Sequence, residues 1–140
     1  MKKLSVRFRV DFGGGSSIGI GKIELLEGIS RSGSLSEGAR QMRMSYRRAW
    51  LLLADLNVSF DQAVAKASTG GRGGGGAVLT QFGELLVADY RKMEAALQPL
   101  AQACFRQVSR HVNAAPAKSR GAKRPVPLAS IRRKPSARPG

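Results

Sequence analysis

The sequence predicts a mainly α fold with small β elements, and three stretches predict it. Ser34-Leu35-Ser36-Glu37 has the pattern of a capping box, with Ser34 at the N-cap and Glu37 three residues on, so it opens a short helix. Ser45-Tyr46-Arg47-Arg48-Ala49-Trp50 opens a second helix just after the first has ended. The run Thr69-Gly70-Gly71-Arg72-Gly73-Gly74-Gly75-Gly76 then joins two short apolar segments as a hairpin. Two helices followed by a basic hairpin is the layout of a winged helix-turn-helix. That layout sets one helix in the major groove of DNA and a flexible loop on the backbone beside it.

The remaining elements follow in order. Leu4, Val6, Phe8, Val10 and Phe12 alternate with Ser5, Arg7, Arg9 and Asp11, the period-two signature of a half-buried strand over residues 4–12. Gly13-Gly14-Gly15-Ser16-Ser17 breaks that strand. A helix over residues 21–32 buries Ile23, Leu26 and Ile29, with Gly33 as its C-terminal cap. The Ser34 helix ends near Met42. The Ser45 helix runs to about Phe60, and the spacing of Trp50, Leu53, Leu56 and Phe60 points these four inward. Residues 63–68 and 77–79 read as the two strands of the wing.

Thr80 caps a long C-terminal helix. Leu86, Tyr90, Met93, Leu97, Leu100 and Cys104 recur at alternating four- and three-residue spacing, a heptad-like seam. The seam either packs on the protein's own core or meets a second copy, and pattern alone favours neither. Pro99 is expected to kink or interrupt this helix. Beyond Val112 the composition turns to Ala, Pro, Ser, Lys and Arg without periodicity. That divides the chain into a domain over residues 1–112 and a basic tail over 113–140, expected to be disordered.

Charge says what such a fold meets. The 140 residues carry 24 Lys and Arg against 9 Asp and Glu, a formal net charge of +15. The domain nets +7 and the tail +8. A polyanionic partner is implied, and double-stranded DNA is the commonest one, bound largely through phosphate neutralisation. No apolar run approaches the ~18 residues of a transmembrane helix, and charges interrupt the stretch after Lys2 and Lys3 where a signal peptide would be apolar. The expectation is a cytoplasmic protein, with which a lone Cys104 agrees.

No catalytic set is visible. One Cys and one His, Cys104 and His111, cannot form a usual zinc site, and no nucleophile has a candidate base. Gly71, Gly73 and Gly76 formally satisfy G-x-G-x-x-G, but the segment before them is short and alanine-rich and no helix opens within them. A P-loop near Gly19-Ile20-Gly21-Lys22 fails because Ser16 and Ile23 stand where it needs Gly and Ser or Thr. Neither an enzyme nor a cofactor is expected. The mechanism expected is groove reading. Candidate DNA contacts are Ser34 and Ser36 on the first helix, and Ser45, Tyr46, Arg47 and Arg48 at the start of the second. On the wing they are Lys66, Thr69, Gly70, Gly71, Arg72 and Gly73. Arg47 and Arg48 oppose the helix dipole, a placement that serves a ligand better than stability. Trp50 is expected in the core. The alternative reading is an architectural, largely non-specific DNA-coating protein driven by the tail.

Three stretches also carry a family resemblance: residues 28–39, Met44-Ser45-Tyr46-Arg47-Arg48-Ala49-Trp50, and residues 69–80. Over about residues 4–105 the chain resembles the amino-terminal domain of ModE-type molybdate-responsive transcriptional regulators, with their LysR-like winged helix-turn-helix. The resemblance implies operator DNA as partner, a homodimer, and control of genes for molybdenum uptake or use. The dimer would use the seam of Leu86, Tyr90, Met93, Leu97 and Leu100. Full-length members continue into molybdate-binding β-barrel domains. This chain resembles the single-domain form, of which direct molybdate binding is not expected. It also departs at Arg43, where such proteins usually have glycine in the turn. If the turn needs a left-handed backbone there, arginine costs on the order of 1 kcal/mol and re-aims the second helix.

Overall fold

The computed structural model describes residues 3–69 and 76–113. Its elements are β1 (Arg9–Gly13), β2 (Ser16–Gly19), α1 (Ile20–Ser32), α2 (Leu35–Gln41), α3 (Tyr46–Ser59), β3 (Ala65–Ala67), β4 (Ala77–Leu79), α4 (Gln81–Cys104) and α5 (Arg106–Ser109). The strands form two antiparallel pairs, β1–β2 and β3–β4. The mainly helical winged-helix architecture with N-terminal strands is therefore the one the sequence predicts. The wing tip, including Gly70, Gly71, Arg72 and Gly73, and the tail lie outside the described residues.

The N-terminal segment differs from its expectation in one respect. Alternating burial does begin at Leu4, with Leu4, Val6, Phe8 and Val10 turned inward. Strand pairing, however, starts only at Arg9, because α4 and not a second strand satisfies the earlier backbone. Gln98 donates its amide to the Leu4 carbonyl at 2.5 Å and accepts from the Val6 N–H at 3.1 Å. The Tyr90 hydroxyl donates to the Phe8 carbonyl at 2.8 Å, and its ring stacks on Phe8. Gly13-Gly14-Gly15 is a hairpin turn as well as a break. All three have positive φ, which favours glycine, and they return the chain into β2.

Helix ends follow local rules. Gly33 is left-handed at φ 69° and closes α1 with its N–H on the Ile29 carbonyl. Ser34, Ser45 and Thr80 each accept a hydrogen bond from the backbone N–H three residues on and so cap α2, α3 and α4. α1 and α2 touch backbone to backbone. A Cβ on Gly28 would lie 3.1 Å from the Gly38 Cα, and one on Gly38 3.2 Å from the Ile29 nitrogen.

Two apolar clusters hold the elements together. Ile18, Ile23, Leu26, Leu56, Val64 and Tyr90 join the hairpin, α1, α3 and α4. Leu25, Ile29, Leu35, Ala39, Ala49 and Ala77 join α1, α2, α3 and the wing. Trp50 belongs to neither. It is 53% exposed, and the inward stripe of α3 is Ala49, Leu52, Leu53 and Leu56 instead. The second cluster is built partly from alanines and leaves no room for an indole. α4 also runs through Pro99 to Cys104 without interruption. Proline removes one donor there, and the Ala95 carbonyl that loses it sits on an exposed residue, open to water. Along the seam, Tyr90 is buried and Leu86 packs against the same cluster, whereas Met93 and Leu100 are exposed.

Candidate nucleic-acid interface

α2 and α3 are joined by a turn. The turn is short and closed by backbone bonds: Met42 N–H to the Gly38 and Ala39 carbonyls, Arg43 N–H to Arg40 and Met44 N–H to Ala39. Arg43 in its middle has φ 53°, so arginine does occupy a left-handed position. α3 presents Tyr46, Arg47 and Arg48 to solvent in its first turn, with Ser45 beside them and its hydroxyl engaged as the cap. Arg43, Arg47, Arg48 and Lys66 are exposed, and none has an ion-pair or side-chain hydrogen-bond partner among the described residues. Other cations nearby are used internally. Arg40 pairs with Glu37, and that hydrogen bond, with the charge behind it, raises the guanidinium above its ordinary pKa. Arg31 donates to Gln41, and Lys22 bridges the Ser17 carbonyl and Asp55.

The wing is fixed against these helices at its base. Ala65, Lys66 and Ala67 pair with Leu79, Val78 and Ala77. Gly76 bridges to Ser34, and Ala77 donates to the Gly33 carbonyl at 3.0 Å, so β4 runs along the start of α2. Asn57 staples β3 to α3: its oxygen accepts from Val64 and Ala65 N–H at 2.8 and 3.2 Å, and its nitrogen donates to the Ala65 carbonyl. Lys66 therefore stands at a fixed offset from Tyr46, both lining one groove between α3 and the wing.

The structure sorts the residues expected from sequence. Ser45, Tyr46, Arg47, Arg48, Lys66 and Thr69 are exposed, and Ser36 is half-buried in the first turn of α2. Ser34 is corrected: it is 0% exposed, and its hydroxyl caps α2, so it supports the site from within rather than facing a ligand. Tyr90 is corrected likewise from a contact between copies to the core of a single copy, at 4% exposure. Sequence reasoning missed three exposed groups on α3. Trp50 lies one turn after Tyr46, and Leu51 and Val58 continue the face that Arg47 begins. Spacing from Tyr46 and Arg47 was the available signal, since i and i+4 share a face.

Among the described residues, no cluster of His, Cys, Asp or Glu could hold a metal ion. No helix there is long and apolar enough to cross a membrane.

Comparison with known proteins gives the chain its relatives. No family model matches it. It is 39% identical over 84 residues to the molybdenum-pterin-binding protein MopA of Rhodobacter capsulatus, covering 60% of this chain and 32% of that protein. To the DNA-binding transcriptional dual regulator ModE of Escherichia coli K12 it is 42% identical over 69 residues, 49% of this chain and 26% of the regulator. To the molybdenum transport protein ModE of Azotobacter vinelandii it is 35% identical over 92 residues, 66% and 34% of the two chains. The match spans about a third or less of these relatives' own length. Over roughly half to two thirds of its length, the chain is homologous to ModE and Mop proteins, two kinds of molybdenum-related protein.

Proposed function

We propose that this chain is a cytoplasmic, sequence-specific DNA-binding transcriptional regulator, a ModE-like protein acting on genes for molybdenum uptake or use. It works by binding and not by catalysis. The observation that carries this is the exposed, unpaired cluster of Tyr46, Arg47 and Arg48 on the first turn of α3, beside a wing that carries Lys66. Base-edge contacts fall at the N-terminal end of a recognition helix. An arginine there can bind guanine O6 and N7 with two bonds, which discriminates against a wrong base by about 1–3 kcal/mol. Lys66 and the wing grip phosphates and fix the register.

The regulator acts as a homodimer on an inverted repeat. Met93 and Leu100, the exposed members of the α4 seam, support this, together with Leu85 and Phe12. Leu85, Met93 and Phe12 line one apolar groove of about 310 Å³ between α4 and the N-terminal hairpin.

The test is selection from a randomised duplex pool with the full chain at roughly physiological salt, where non-specific phosphate binding is partly suppressed. Enrichment of an inverted repeat is expected. Arg47→Ala or Arg48→Ala should then weaken binding to the selected site more than to random duplex; equal losses on both would remove these arginines from base reading. A second reading, an architectural DNA-coating protein, is favoured by the +8 charge of residues 113–140. It predicts no enrichment, and loss of most affinity when those residues are deleted.

A further inference from the structure

Trp50 is the only tryptophan of the chain, and the fold leaves it half in water. It projects from α3 one turn beyond Tyr46, itself 50% exposed. Both rings form one wall of a groove of about 220 Å³ whose other wall is Lys66 and Ala67 of the wing. Leu35 contributes to the same surface. The groove has fixed walls, because the Asn57 side chain, at the same surface, is spent on three bonds to Val64 and Ala65. Nothing among the described residues accepts the indole N–H. An exposed indole in a preformed apolar groove is costly to keep in water and marks a surface that a partner covers.

Resting on the DNA-binding reading above, we infer that this groove takes one sugar-phosphate strand of duplex DNA, with the Trp50 ring lying on deoxyribose and its N–H turned to phosphate. Charge complementarity selects this occupant over a protein segment. The unpaired cation Lys66 lines the groove, on a chain of net charge +15. The docking geometry agrees, since the backbone passes between a recognition helix in the major groove and the wing beside it. Trp50 is then a backbone contact that carries no base preference of its own.

The test uses the full chain and a fluorescently labelled random duplex at low salt, read by duplex anisotropy and by tryptophan emission, which reports Trp50 alone. As anisotropy rises, emission should shift to shorter wavelength in step, as sugar replaces water over the indole. Trp50→Ala should lower affinity about tenfold for random and selected duplex alike, from the apolar area left uncovered. Because no counterion is released by that contact, the slope of log affinity against log salt should not change, whereas losing a phosphate-bound cation lowers it by ~0.9. Trp50→Phe should keep most of the affinity, and thermal melts of both variants should match the parent. Rising anisotropy with unchanged emission overturns the proposal, as does full affinity in Trp50→Ala or a salt slope reduced by a whole charge. If anisotropy never rises, the DNA-binding reading fails first and this inference falls with it.

Discussion

Arg43→Gly should make this protein more stable, although it removes a large side chain. Arg43 is the one non-glycine residue with positive φ among the described residues, at 53°. A Cβ in the left-handed region costs roughly 1–2 kcal/mol. Glycine relieves that cost but has more freedom to lose from the unfolded chain, an offset of about 0.4–1 kcal/mol. No side-chain contact opposes the change, since Arg43 is exposed and unpaired. The backbone bonds that close the turn involve no side chain and survive it. The net expectation is a gain of about 0.5–1 kcal/mol, or a few degrees in Tm for a domain of this size. Urea unfolding measures it as a higher midpoint at unchanged m-value. Arg43→Val is the converse control, because a β-branched residue at positive φ is worse than arginine and should lower the midpoint. A midpoint for Arg43→Gly at or below that of the parent would refute the assignment of strain to this turn.

Other perturbations test other joints of the fold. Gly83→Ala should cost about 3 kcal/mol or more, since the new Cβ would sit 2.0 Å from the Val64 carbonyl oxygen and force α4 off the wing strand; chemical denaturation reads this directly. Burial, and then the nearby Glu94 charge, raise the Tyr90 phenol above its ordinary pKa. A folded pKa above the unfolded value of about 10 gives stability that is full below that pH and is lost as pH rises through the folded pKa. Tyr90→Phe should therefore flatten the fall of stability with pH above about 10, while losing about 1 kcal/mol at neutral pH with the bond to Phe8. Met93→Lys with Leu100→Lys should turn the proposed dimer into a folded monomer by sedimentation, and an unchanged mass would remove α4 from the contact.

What the sequence made legible and what it hid divide along physical lines. Caps at Gly33, Ser34, Ser45 and Thr80 were readable because each is decided within three or four residues. The β1–β2 hairpin was hidden because three glycines read as a break, and Ser16-Ser17-Ile18-Gly19 has only one residue of high strand propensity. Trp50 was misassigned for the opposite reason: size and spacing suggested the core, but α1 and α2 approach through Gly28 and Gly38, and the space left against α3 fits Ala49. The seam on α4 could not be resolved by period, because the same stripe serves two surroundings. Its Leu86 and Tyr90 part packs on the core under the hairpin, and Met93 and Leu100 are exposed. Among the residues expected at the site, the exposure of the first turn of α3 was legible and the burial of Ser34 was not, because a cap and a ligand contact ask for the same residue type.

In the proposed dimer, the same joints link a contact on α4 to reading by α3, some distance away in the fold. α4 is tied to α1 by Arg91, whose guanidinium holds Glu27 at 2.6 Å and Glu94 at 2.8 Å, a pairing that raises it above its ordinary pKa. α1 meets α2 backbone to backbone at Gly28 and Gly38, and reaches α3 through Lys22 and Asp55 at 2.9 Å. Each ion pair is partly exposed and adds little stability by itself. What they add is orientation, since charged groups on three helices fix rotations that apolar packing alone leaves loose. With α1 as the common partner, a second copy docked on α4 would hold the two α3 helices at one separation and one angle. In the proposed dimer the spacing of operator half-sites would then follow from the α4–α1 joint and not from the wing. Arg91→Ala should therefore broaden the range of half-site spacings the protein accepts, at nearly unchanged affinity for a single half-site. A variant that keeps the parent's spacing preference would show that apolar packing alone sets the angle.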